Sequence, residues 1–265
     1  MPADTLLPEP AGSRPRTLLP GRSPWVAMYH SVDDCTEDPY NVTVSPARLK
    51  EQLRWLRSRG LRGVTVGQLL DARRRGTGRG LVGLTFDDGY GDFVENALPL
   101  LRHFDCTATV FVLPGRLGGD NAWDPQGPRK PLLTAQGVRT AARAGMEIGS
   151  HGLTHVDLTR LPADARQAEI AHSRARVEEL TGRPVQGFCY PYGRVDRATA
   201  DAVRAAGYRY ACAISPGPLT GQYALPRVFV GERDTPWRLE LKRRVHPIRR
   251  RPWTSAETPS AEVRP

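Results

Sequence analysis

Three short polar clusters stand out because each sits at the end of an apolar run. Asp87 and Asp88 follow Leu-Val-Gly-Leu-Thr-Phe (81–86), and His151 and His155 follow Met-Glu-Ile-Gly-Ser (146–150). Adjacent acids at the end of a buried run raise each other's pKa, and a cation beside them relieves that cost. A solvated pair of acids ahead of a helix is the plainer reading of the same two residues. The histidines shift the balance: imidazoles four residues apart can face one point if the backbone between them turns helically. One carboxylate and two imidazoles leave a divalent ion an open position for water, which is the arrangement of metal-assisted hydrolysis. The third cluster, Tyr190-Pro191-Tyr192-Gly193, closes the run 185–190. A tight turn there can aim a backbone N–H at a developing oxyanion, although by itself it is only a turn signal.

The elements that must carry these clusters alternate between strand and helix. Strand-like runs occur at 25–30, 63–66, 81–86, 107–113, 146–150, 185–190, 208–214 and 223–230. Between them, helical patterns fall at about 46–59, 67–74, 92–103, 134–144, 163–181 and 195–206. Ser45-Pro46 provides a cap and a first-turn proline, Leu49, Leu53 and Leu56 follow at helical spacing, and Gly60 stops that helix. Such alternation predicts an α/β fold of parallel strands with helical crossovers. Seven or eight strands suit a barrel better than a short open sheet, and barrels gather reactive groups at the carboxyl ends of their strands. All three clusters occupy such ends. The stretch 114–130 has no periodicity and is longer than an ordinary connector, so it is expected to be functional or disordered. Its Trp123 and Asp124 are candidates to line a substrate groove, with a simple anchoring role for the indole as the alternative. Tyr29 and Tyr90 stay open between core and groove.

With 265 residues, 39% hydrophobic, the chain has material for one sizeable core. Residues 1–24 carry proline and charge where a secretory signal needs a continuous apolar stretch, and they read as a disordered lead-in. No run is long and apolar enough to span a bilayer. Cys35, Cys106, Cys189 and Cys212 form no close pair, and the last three lie in or beside strand-like runs, as buried free thiols do. These features together predict a cytoplasmic setting. The net charge of +10 comes mostly from scattered arginines, so no nucleic-acid partner is expected. The dense cluster is Leu-Lys-Arg-Arg-Val-His-Pro-Ile-Arg-Arg-Arg-Pro-Trp (241–253), within a basic tail over 236–265. It suggests peripheral contact with an acidic partner or an anionic membrane surface.

Thr85-Phe86-Asp87-Asp88-Gly89, Ser150-His151-Gly152-Leu153-Thr154-His155 and Tyr190-Pro191-Tyr192 resemble, in order and spacing, the motifs of the polysaccharide deacetylase family. This is the NodB-homology or carbohydrate esterase 4 family, and the resemblance runs over about 25–230. It implies a distorted (β/α) barrel of about seven parallel strands over 25–235. It also implies that Asp87 is the general base, that Asp88, His151 and His155 bind a metal, and that the Tyr192 N–H helps hold the oxyanion. Tyr190, Pro191 and Trp123 are then expected at the substrate. Two departures stand out. The position four residues before Pro191, where many members have an arginine contacting the base, is Gly187, and no late leucine-x-histidine motif is present. Met28-Tyr29-His30 is similar instead to the start of poly-N-acetylglucosamine deacetylases, in which motifs are permuted to the N-terminus and an N-terminal histidine acts as the acid.

Elimination points the same way. His103 and His172 fall inside helical patterns, His246 lies in the basic tail, and His30 alone remains at a strand end. The expected activity is therefore metal-dependent removal of an acetyl group from an N-acetylated amino sugar or polysaccharide. Zinc suits the ligands, with cobalt, nickel or iron also able to occupy them. A deacylase or amidase for a small intracellular metabolite is the alternative on the same barrel. A sugar-binding pseudoenzyme is disfavoured by the intact ligand set.

Overall fold

The computed structural model describes residues 24–249. The lead-in before Pro24 and the end of the basic tail lie outside these residues, and with them the reading of disorder there. In chain order the first elements are β1 (Val26–Tyr29), β2 (Ser31–Val32), β3 (Thr43–Val44), α1 (Pro46–Ser58), β4 (Arg62–Val64) and α2 (Val66–Arg74). Next come β5 (Leu81–Phe86), α3 (Leu98–His103), β6 (Thr109–Val112), α4 (Ala135–Arg143), β7 (Glu147–Ser150) and α5 (Ala163–Thr181). The last are β8 (Gly187–Cys189), α6 (Arg197–Ala205), β9 (Tyr210–Ala213), β10 (Leu225–Pro226), β11 (Val228–Phe229) and α7 (Pro236–Arg249).

Local chemistry explains most boundaries. Ser45 accepts the Arg48 N–H at 3.2 Å and Pro46 opens α1, which buries Leu49, Leu53 and Leu56. Thr65 and Gln68 form a reciprocal capping box, so Val66 begins α2, where an apolar alternation predicts strand to 66. Residues Phe93–Ala97 wind as a wide π turn into α3. Pro99 follows, and it has no N–H to return to the preceding turn. Gly182, at φ +64°, ends α5 in the left-handed conformation.

The strands form one parallel sheet in the order β10-β9-β8-β7-β6-β5-β1-β11, with β4 also paired to β5. The run 223–230 holds both end strands: β10 pairs β9, while β11 pairs β1. One short stretch, broken only by Arg227, thus spans the seam of a nearly closed barrel. Larger apolar contacts lie between the strands and the helices. A second cluster joins Phe111, Cys189, Tyr210, Cys212 and Leu225 to Val66, Leu69 and Leu70 of α2. Register places Tyr29 opposite Phe86, Phe86 opposite Val110, and Val112 opposite Ser150. The residues that follow these strands therefore gather at one rim. A small parallel pair, β2 with β3, extends beyond it.

Residues 236–249, read as the start of a basic tail, form α7. Leu239 and His246 are buried, and His246 lies 3.3 Å from the Pro24 carbonyl. All four cysteines are free, with Cys106, Cys189 and Cys212 buried as expected. Among the described residues no helix is long and apolar enough to cross a membrane.

Candidate active site

Asp87 and Asp88 leave the end of β5 at the rim, and both are buried. The Arg227 guanidinium grips Asp87 with two bonds, Nη1 to Oδ1 at 2.6 Å and Nη2 to Oδ2 at 2.7 Å. Nη1 also donates to Thr85 Oγ1 at 3.1 Å, so the fork is fixed from both sides. Burial by itself would raise the Asp87 carboxyl, but the charge and hydrogen bonds of Arg227 outweigh it and hold the group below its ordinary value. Gly187 has no room for the expected arginine: even a Cβ there would meet the Tyr210 hydroxyl at 2.3 Å. The guanidinium on Asp87 comes from the barrel seam instead.

Asp88 adopts φ +67° and His155 φ +69°, strained backbone for residues with a side chain. The turn from His151 to His155 follows β7 and brings both Nε2 atoms to one oxygen of Asp88, at 3.2 and 3.3 Å from Oδ1. His151 Nδ1 lies 2.8 Å from the Cys189 carbonyl. A carbonyl only accepts, so Nδ1 carries a proton, and in the neutral ring that ligates a metal Nε2 is then the nitrogen left free on the Asp88 side. Glu169 of α5 takes the N–H groups of Leu153 and Thr154 at 2.7 and 3.1 Å, and the Thr154 hydroxyl at 2.6 Å.

These residues fit a divalent cation. Asp88 Oδ1 is closed to solvent and makes no hydrogen bond among the described residues, although two imidazole nitrogens stand beside it. Two ligating nitrogens beside one buried anionic oxygen are the donor set that a cation between them would complete. The ligand atoms of Asp88, His151 and His155 all lie within 4.8 Å of one another, as do those of Asp87, His151 and Cys189. The second set is the poorer one. Arg227 already occupies Asp87 and lies 3.1 Å from the Cys189 sulfur, and burial pushes that thiol up and keeps it protonated.

His30 directly follows β1 with Nε2 3.9 Å from Asp87 Oδ2, and its Nδ1 is buried without a partner among the described residues. Tyr192 takes φ +58° within the turn Pro191–Gly193. The hydrogen bonds of that turn run from the Gly193 N–H to the Tyr190 carbonyl and from the Arg194 N–H to the Pro191 carbonyl, and neither uses the Tyr192 N–H. Its ring is half exposed and meets His155 edge-on at 4.6 Å, while Trp123 stacks on the same imidazole at 4.4 Å.

Two residues expected at the substrate are placed differently. Tyr190 is fully buried, packs on Phe188 and donates its hydroxyl to the Tyr223 carbonyl at 2.7 Å. Pro191 is buried beneath the histidine turn, beside Gly152. Both shape the turn from behind and do not reach the open face. Tyr29 and Tyr90 are likewise core residues.

The long segment 114–130 is ordered by its own clamps. Asn121 Oδ1 accepts the Lys130 N–H at 2.8 Å. The buried Lys130 ammonium then donates to Ser31 and Asp33 at 3.0 and 3.1 Å. Ser31 in turn donates to Asp92 at 2.6 Å.

The polysaccharide deacetylase family matches residues 74–211, just over half of the chain. The chain belongs to this family. YxkH of Bacillus subtilis, which carries the family's name, is 27% identical over 81% of this chain and 74% of its own length. A poly-beta-1,6-N-acetyl-D-glucosamine N-deacetylase of Staphylococcus aureus is 23% identical over 72% of this chain and 69% of its own. The Streptococcus pyogenes deacetylase PplD shares the fold at a TM-score of 0.70 and 22% identity, covering 84% of this chain and 98% of that one.

Proposed function

We propose that the protein is a metal-dependent hydrolase that removes the acetyl group from an N-acetylated amino sugar within a polysaccharide. The observation that supports it most is the unpaired Asp88 oxygen facing two imidazole nitrogens, beside a second acid held by an arginine fork. Asp88, His151 and His155 would hold the ion, and zinc suits this donor set. When bound, a divalent ion lowers the pKa of water toward neutrality and polarises the acetyl carbonyl. Asp87, ionised and oriented by Arg227, takes the proton from the attacking water. The Tyr192 N–H donates to the oxyanion, and the strained turn spares it from competing bonds. His30 stands next to Asp87, where it protonates the departing amine. Trp123 and Tyr192 offer aromatic faces at the mouth for a sugar ring.

The polymeric amino sugar is favoured over a small metabolite by the Staphylococcus aureus relative, which is named for such a substrate. Acetate release from N-acetylglucosamine oligomers, with an O-acetyl ester and a small amide in parallel, tests this reading. Hydrolysis should stop on chelation and return with zinc or cobalt. Full activity in verified metal-free protein, or release only from the small amide, overturns it.

A further inference from the structure

The two histidines that face Asp88 are held in place by different means. His151 is fixed through its own side chain, by the bond from Nδ1 to the Cys189 carbonyl. His155 has no such bond: among the described residues its Nδ1 is buried and unpartnered, and its ring is held only by aromatic contact with Trp123, Tyr192 and His151. Its position must therefore come from its backbone, and that backbone lies at φ +69° after Gly152 at +81°. A turn of this kind stores strain and needs external support. Its successive N–H groups at Leu153 and Thr154 point together at Glu169, whose carboxylate also takes the Thr154 hydroxyl. All three donors belong to residues between the two histidines.

We propose that Glu169 is a positioning residue for the metal ligand His155. It acts on the ligand through the turn backbone and touches neither the ion nor the substrate. This rests on the reading that Asp88, His151 and His155 hold a metal. The carboxylate is suited to the task because one anion gathers two backbone donors and a hydroxyl within one turn, and charge-assisted bonds of this kind are the strong ones. Without it, the Leu153 and Thr154 N–H groups lose their acceptor, the turn relaxes, and the Nε2 of His155 leaves its place 3.3 Å from Asp88. His151 stays where it is. The ligand set would lose one member of three, with the fold of α5 and β7 retained.

Titration of metal-free protein with Co²⁺ separates the outcomes, since its visible absorption reports ligand number and geometry without any turnover. In Glu169→Ala the Co²⁺ affinity should fall about 10-fold or more, the usual effect of removing support behind a ligand. The absorption should shift toward that of His155→Ala. Glu169→Gln keeps an acceptor oxygen at the same reach and should restore most of both properties. Wild-type affinity and spectrum in a folded Glu169→Ala overturn the proposal, as does equal loss in the Ala and Gln variants. If the Ala variant does not fold, Glu169→Asp takes its place: its carboxylate is one methylene short, and the same loss is required of it. Wild-type protein that takes up no Co²⁺ would remove the metal reading itself, a result distinct from any of these.

Discussion

Asp87 is buried with its carboxylate shared between two nitrogens of Arg227, so burial and ion pair pull its proton in opposite directions. In the intact protein the ion pair wins, the carboxyl lies below its ordinary value, and the proposed base stays ionised through the neutral range. Its contribution to stability is then present above the unfolded pKa and is lost as pH falls through the lower, folded one. In Arg227→Met the largest opposition to burial is gone and only the weaker pull of His151 and His30 remains, so the Asp87 pKa rises and the acid limb of kcat/KM should move to higher pH. The same variant leaves a buried carboxylate unpaired and should lose about 3–5 kcal/mol in urea unfolding. An unmoved acid limb would detach Asp87 from the role of base. His30 presents a separate case, because it lies beside the proposed base and outside the proposed ligand set. His30→Ala should keep both metal and fold while kcat falls about 10²–10⁴-fold, the usual contribution of a positioned acid. Stopped-flow kinetics with metal analysis checks this, and a near-wild-type kcat would place the acid elsewhere.

The segment between β6 and α4 carries Trp123 to His155 and is tied down at its far end by Lys130, which reaches Ser31 and Asp33 just past His30. One ammonium thus couples the loop over the site to the strand that ends in the proposed acid. Lys130→Met should free the loop and leave Ser31 and Asp33 without their donor, costing about 1–3 kcal/mol. KM for an N-acetylated oligomer should rise with Co²⁺ affinity unchanged, and a variant with wild-type KM would show that the loop does not meet substrate. Elements of this sort differ in how far the sequence reveals them. The strand Leu81–Phe86 and the helix Ala163–Thr181 coincide with their patterns, because a buried run defines the one and Pro162 and Gly182 bound the other. The alternation of Gly-Val-Thr-Val (63–66) misleads because Thr65 is a helix cap, and capping overrides two residues of strand pattern. The run 223–230 hides two half-strands with different partners. The proposed ligand clusters are local and legible, whereas the bond between Asp87 and Arg227 spans 140 positions and leaves one trace only, an arginine inside an apolar run. Tyr190 shows the limit of a strand-end reading, since a single residue decides whether a ring faces the mouth or the core.

Across the whole molecule, the proposed metal site links the end of β5 to the turn after β7, so an ion bound there stabilises only the folded chain. Zinc at 100 times its Kd should add about 2.7 kcal/mol by mass action and raise the Tm accordingly. Asp88→Asn should abolish that rise, while Asp87→Asn should keep it and lose turnover. Equal shifts in both variants would contradict the division of labour between the two acids, and differential scanning calorimetry decides it. The barrel seam has a further consequence. The Asp and His clusters and the proposed acid all lie before residue 156, whereas Arg227 belongs to the stretch that joins the last strands to the first. Chains emerge from the ribosome N-terminus first. A nascent chain therefore exposes every proposed ligand before it holds the group that orients the base, and a message cut short within the last strands yields a polypeptide that has its ligands and cannot aim its base. On the proposed mechanism the base is oriented only once the barrel closes, which ties full hydrolytic competence to completion of the fold.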